Sequence, residues 1–128
     1  MFEVLGIIGS GMHVHQTWMD AISDNIANVN TVRPAGQPAF QARYVLAQSV
    51  ASGGAAVAGV ALGDGAGRLV FDPTHPLADD KGYVRLPDVD LAEQMTSMIM
   101  AQRGYQANAA NLDRVRASYQ AALQMGRG

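Results

Sequence analysis

Between residues 4 and 29 apolar side chains return at alternating steps of three and four: Leu5, Ile8, Met12, Met19, Ile22, Ile26 and Val29, interrupted only by His15. That spacing is a heptad seam on one face of a helix. A second line runs one residue earlier through Val4, Ile7, Gly11, Val14, Trp18 and Ala21, then continues as Asn25 and Asn28. Adjacent residues sit about 100° apart around a helix, so the two lines together form a face wider than one partner helix can cover. The pattern predicts a helix of about 37 Å with at least two neighbours. Asn30 and Thr31 supply its stop ahead of Pro34. Asn25 and Asn28 have two readings: fraying at the C-terminus of an exposed helix, or hydrogen bonds across a helix interface that fix its register. The second is expected, because both lie on the second line.

The other end of the chain has the same character. Leu91, Met95, Met98, Tyr105, Ala109 and Leu112 hold heptad spacing, then shift register to Val115, Tyr119 and Ala122. Beside them runs a row of small residues, Ser97, Ala101, Gly104 and Asn108. Gly104 in mid-helix costs about 1 kcal/mol relative to Ala, so close approach of a second backbone is its expected use. After Pro87, Asp88 or Asp90 caps the helix start, and Glu93 completes a capping-box pair with Asp90.

The middle reads differently. Phe40, Ala42, Tyr44 and Leu46 alternate with Gln41, Arg43 and Val45 as a half-buried strand would, and short β-like runs recur at "RLVF" and "GYVRL". Residues 51–67 carry six glycines and no aromatic residue, so a mobile loop is expected there, holding one short strand at "GVAL". "ADDKG" at 78–82 reads as a tight turn. The resulting class is mainly α with a small β insert. A β-hairpin-like element and a Gly-rich loop (32–87) lie between two terminal segments, 1–31 and 88–128.

Composition limits what such a chain can do. Nine basic against eleven acidic residues give a net charge of −2, which offers no electrostatic footprint for nucleic acid. Only 16% of residues are charged while 48% are hydrophobic, against roughly 25% charged in ordinary soluble domains, so burial by partners is expected. Cysteine is absent, excluding disulfides and thiolate metal sites. No apolar run is long enough to span a membrane, and the basic n-region and cleavage site of a secretory signal are missing.

No chemistry-bearing constellation emerges. His13 and His15 stand two apart, about 200° around a helix, and cannot face one ion together; His75, between Thr74 and Pro76, reads as a turn residue. "GIIGSG" lies inside the helical seam, and "GDGAG" lacks the following helix and Lys of a phosphate loop. Asp72, Asp79, Asp80, Asp88 and Asp90 fall among prolines and turns rather than at EF-hand spacing. The expectation is a protein that is not an enzyme, with no catalytic residue, metal, cofactor or small-molecule substrate.

Two stretches carry a resemblance. "SGMHVHQTWMDAISDNIANVNT" resembles the N-terminal signature of flagellar rod, hook and hook-associated proteins, matching its Asn-Ile-Ala-Asn-x-Asn-Thr ending at Asn25, Ile26, Ala27, Asn28, Asn30 and Thr31. "DPTHPLADDKGYVRLPDVDLAEQMTSMIMAQRGYQAN", residues 72–108, is similar to the C-terminal half of proximal rod proteins. The matches are Asp72, Pro73, His75, Pro76, Gly82, Tyr83, Val84, Pro87, Val89, Asp90, Met95, Arg103, Tyr105, Gln106 and Asn108.

The flagellar basal-body rod family implies terminal helices paired as an antiparallel coiled coil that lines an axial tube around the export channel, with the insert facing outward. It also implies a structural role in motility, a place in the periplasmic basal body, and export through the flagellar type III apparatus without signal cleavage. Implied partners are other copies of the chain, neighbouring rod proteins and components of the base and export gate. The residues expected at helix seams and subunit interfaces are Leu5, Ile8, Met12, Trp18, Met19, Ile22, Asn25, Ile26, Asn28, Asn30, Thr31, Leu91, Met95, Met98, Arg103, Gly104, Tyr105, Asn108, Leu112 and Val115. Asp72, Pro73, His75, Pro76, Gly82, Tyr83, Pro87, Val89 and Asp90 form the insert motif. The alternative is a secreted helical adaptor using the same seams on a non-flagellar partner; a wall-processing hydrolase would need an acid/base pair that the sequence does not display.

Overall fold

The computed structural model describes residues 1–128. Its elements run α1 (Phe2–Ala27), β1 (Arg33–Pro34), β2 (Arg43–Ser49), β3 (Ala55–Leu62), β4 (Arg68–Phe71), β5 (Tyr83–Leu86) and α2 (Leu91–Met125). At 1.5 Å per residue α1 is about 39 Å long and α2 about 52 Å. No helix is long and apolar enough to cross a membrane.

Both helices start and stop for local reasons. Pro87 is buried and Asp90 has extended backbone; the Asp90 carboxylate accepts from the N–H groups of Ala92 at 2.9 Å and Glu93 at 3.3 Å, the usual N-cap geometry. Glu93 makes no return bond to Asp90, so only half of the expected capping box forms. At the end of α1, Asn28 is the C-cap and its backbone N–H reaches Asp24 O. The helix therefore closes two residues before the stop expected at Asn30.

The helices lie side by side and antiparallel. Val4 shares a groove with Val115, Gly11 faces Asn108, His15 faces Gly104, and Asn25 bonds to Gln94. On α2 Gln94, Asn108 and Val115 meet α1, and on α1 their partners are Asn25, Gly11 and Val4, all spaced by multiples of seven.

β1, β5 and β4 form one antiparallel sheet in that order, and β2 pairs with β3 as a separate hairpin bulged between Leu46 and Ala47. The short runs "RLVF" and "YVRL" are strands β4 and β5. The 78–82 turn is built on Asp79, whose carboxylate accepts from the N–H groups of Lys81 and Tyr83 at 3.0 and 2.8 Å, with Gly82 at φ 83° closing it.

Two expectations fail in the insert. The glycine-rich stretch is largely strand rather than loop: Ala55–Leu62 is an eight-residue strand that contains the expected "GVAL" and begins four residues before it. Gly53 and Gly54, at φ 98° and 91°, supply the left-handed turn that folds it back on β2. The strand face assigned to Phe40, Ala42, Tyr44 and Leu46 also breaks up. Ala42 is buried and Phe40 half-buried, but pairing begins at Arg43 and Tyr44 and Leu46 are exposed.

The hairpin lies along α1 and is the second neighbour that the wide apolar face requires. Its tip rests on Ile7 and Ser10, where Ala55 N–H donates to Ser10 Oγ at 3.1 Å. Its root is held beside Asn25. The core is small, with Val14, Ala21, Ile22, Ala39, Ala42, Val84 and Ala101 as its apolar members.

Candidate interaction surface

The site begins with one fully buried side chain. Asn25 Nδ2 donates to Arg43 O and to Gln94 Oε1, both at 2.9 Å, and Asn25 Oδ1 accepts from Arg43 N at 2.8 Å. Its amide thus meets both backbone groups of Arg43, as a neighbouring strand would, while reaching across to the first turns of α2. Every buried polar side-chain atom of the molecule has a partner, which is the condition under which a buried polar network fixes one arrangement rather than weakening it. Arg43 adds an ion pair to Asp24 at 2.8 Å, but both side chains are half exposed, so it contributes at most about 1 kcal/mol.

Asn28 does a different job. Its Nδ2 donates to Asp24 O at 2.9 Å on its own helix, and its Oδ1 accepts from Thr31 Oγ1 at 3.0 Å. It closes α1 and does not cross to α2.

Midway along the pair, glycines receive polar side chains from opposite sides. A Cβ on Gly104 would overlap the His15 ring, and one on Gly11 would lie 3.1 Å from Asn108 Nδ2. His15 Nδ1 donates to Gly11 O at 2.7 Å, which orients the ring that fills the space over Gly104. The small row of α2 therefore faces α1.

The remaining seam positions divide by exposure. Ile22, 2% exposed, belongs to the core, and Leu5, Ile8, Met12, Trp18, Met19, Ile26, Met98, Tyr105, Leu112 and Val115 are half-buried. Leu91 and Met95 are exposed, with Ile99 and Met100 beside them, as are Asn30 and Arg103. Leu91, Met95 and Ile99, four apart, make one apolar ridge on the outer side of α2.

In the insert, Asp72 accepts from Thr74 Oγ1 at 2.9 Å and His75 Nδ1 accepts from Leu77 N–H at 3.0 Å. Pro73 and Pro76 are exposed, Val89 is half-buried, Gly82 sits tight against Phe71, and Tyr83 meets the Phe71 ring edge-on at 5.4 Å. Sequence reasoning missed Arg85, which donates from Nε and Nη2 to Ala35 O at 3.1 and 2.7 Å and from Nη1 to Ala66 O, tying two loops to β5. It also missed Arg43 and Gln94, the partners of Asn25; an uncharged Gln seven residues before Ala101 was the only available signal.

The molecule exposes more surface than a globular chain of its mass. The accessible surface is 8304 Å² for 13.5 kDa, whereas a folded monomer of that mass exposes about 6500 Å². The excess of about 1800 Å² follows from two long helices lying side by side with the end of α2 uncovered.

Two family models match the chain: flagella basal body rod protein over residues 7–34, and flagellar basal body rod FlgEFG protein C-terminal over 80–125. Among curated proteins the chain is similar to flagellar basal-body rod protein FlgC of Escherichia coli O6:H1, 35% identical over 132 aligned positions spanning 98% of each chain. It is 36% identical to FlgC of Yersinia enterocolitica with the same coverage. FlgC of Borreliella burgdorferi is 31% identical over 150 positions, spanning 100% of this chain and 99% of that protein.

Proposed function

The chain belongs to the flagellar basal-body rod family as a FlgC-type structural subunit, and from that premise we propose that it polymerises through its terminal helices into the axial drive-shaft tube around the export channel. In this reading residues 1–31 and 88–128 act together as one antiparallel coiled-coil domain and 32–87 as its insert. The subunit reaches the periplasmic basal body through the flagellar type III apparatus without a cleaved signal. It contacts other copies, neighbouring rod proteins and the base, and it turns over no substrate.

One observation carries the reading: Leu91, Met95, Ile99 and Met100 stand exposed together on the first turns of α2, an apolar patch with no partner within the chain. Covering such surface contributes about 25 cal/mol per Å² removed from water. Exposure supports a division of the seam: buried Ile22 is assigned to the chain's own core, whereas exposed Leu91, Met95 and Arg103 are proposed at subunit contacts.

Met95→Asp tests it. The side chain is 56% exposed, so the variant folds, with a melting temperature close to that of the parent. In flagellated cells lacking their own copy, the parent chain restores swimming and Met95→Asp does not. Full swimming with Met95→Asp would remove this face from the assembly.

A further inference from the structure

The three-stranded sheet of the insert sets two cations directly opposite one another. In the β1–β5 register Arg33 pairs with Arg85, and opposite residues of an antiparallel pair share one face with their side chains close. Like charges so placed are destabilising, and no acid of the chain relieves them: the single ion pair of the molecule joins Arg43 to Asp24. Arg85 uses three of its five N–H groups on the carbonyls of Ala35 and Ala66, which leaves two unused and its charge without a counter-ion. Two polar grooves open around these side chains. One, of about 560 Å³, has Arg85, Gln37 and Gln41 in its wall. The other, of about 340 Å³, has Arg33, Arg43, Phe40 and Leu62. They share Pro38 and Gln41, so they are two lobes of one trough, and every residue lining it belongs to the insert. Three arginines line this trough and no acid does. Asp64 is turned to its own loop, where it accepts from Ala66 N–H at 2.8 Å.

We propose that the trough is a docking site for a short acidic peptide segment of a partner protein, its carboxylates held by Arg33 and Arg85 and its backbone met by Gln37 and Gln41. The site uses no residue of either helix and stands whether or not the chain polymerises. Three features select this occupant. A guanidinium fork matches a carboxylate in plane, two N–H groups to two oxygens. The glutamine amides each offer a donor and an acceptor, the pair that a peptide backbone needs. Exposed Leu62, with Phe40 in the same lobe, gives an apolar wall for a side chain next to the acid. A long polyanion is disfavoured, because the chain as a whole carries a net charge of −2 and repels it outside the trough.

A fluorescently labelled peptide alternating Glu with Leu is the probe, and the same peptide with Gln in place of Glu is its control. Anisotropy at low salt should show saturable binding of the Glu peptide to the full chain, weakening as salt rises, and at least tenfold weaker binding of the Gln peptide. Arg33→Gln supplies the sharpest arm. It removes one of two opposed cations, so its melting temperature should equal or exceed that of the parent, while its affinity for the Glu peptide falls at least tenfold. Arg116→Gln, which removes an exposed arginine of α2, should bind the peptide as the parent does. The proposal is overturned by a parent that shows no saturable binding up to about 1 mM peptide, or by equal binding of the two peptides. Equal losses in Arg33→Gln and Arg116→Gln would reduce the effect to unspecific attraction, and a lower melting temperature for Arg33→Gln would assign that arginine to the fold; either defeats the site. Displacement of the Glu peptide by an equal concentration of inorganic phosphate would give the trough to a phosphate ligand instead.

Discussion

At the insert end of the helix pair, α1, α2 and β2 converge on the amide of Asn25, which has no exposed surface and uses both amide hydrogens and its oxygen. At the far end α2 runs on alone, and every residue from 116 to 128 is exposed. The two regions use similar helical sequence for opposite purposes. Where partners come from within the chain, polar groups can be buried because their counterparts are delivered in fixed positions. Where no internal partner exists, the seam is carried by apolar residues that tolerate water until something covers them.

The largest effect expected from this contrast is at Asn25. Asn25→Ala leaves the part-buried backbone N–H and C=O of Arg43 and the buried Gln94 Oε1 without their partner, and a buried group so stranded costs about 1–3 kcal/mol. Urea unfolding should show a loss of about 3 kcal/mol or more. Replacing Asn25 and Gln94 together by Leu should recover part of it, since one of the stranded groups is then gone. A loss below 1 kcal/mol for Asn25→Ala would mean water takes over the site, and the contrast between the ends would dissolve.

Next in size is Asp90→Ala, which removes the two bonds that the carboxylate accepts at the start of α2. The expected cost is about 1 kcal/mol, read as a lower urea midpoint at unchanged slope. Gly104→Ala comes close behind and sharpens the comparison by its sign. The added methyl collides with His15, costing about 1–3 kcal/mol against a helix-propensity gain of about 1 kcal/mol. In the parent the change should be net destabilising; in a His15→Ala background it should stabilise by about 1 kcal/mol. Stabilisation in both backgrounds would show that the ring simply swings aside.

How much of this was legible depends on the distance between a residue and what decides its role. The helices at both ends, the Asp90 cap and the Asp79 turn were readable because their causes lie within a few residues. Asn25 and Asn28 were not separable, since both sit at heptad spacing and only the arrival of Arg43 and Gln94, 18 and 69 residues away, makes one a knot and leaves the other a cap. On α2 the row of Leu91, Met95 and Met98 and the row of Ser97, Ala101 and Gly104 are equally periodic. Which one faces inward is set by His15 and Gly11 across the interface. β3 is a case of another kind: six glycines suggest flexibility, but two of them, adjacent at Gly53 and Gly54, make the hairpin turn. At that stretch turn chemistry outweighs composition.

The smallest expected effect on the monomer is at the bare end, and it is the most telling. Leu123 is 48% exposed on the last turns of α2 and has no partner from α1. Leu123→Ser therefore removes almost nothing that the isolated chain has buried, and its unfolding free energy should stay within about 0.5 kcal/mol of the parent. The same change removes most of a side chain that, once covered, contributes about 1.5–3 kcal/mol, enough to weaken self-association by at least tenfold. Stability and assembly thus respond to different ends of one helix pair. A Leu123→Ser chain that unfolds more easily would show that the overhang is already packed in the monomer. One that associates like the parent would show that the seam ends, in effect, where α1 does.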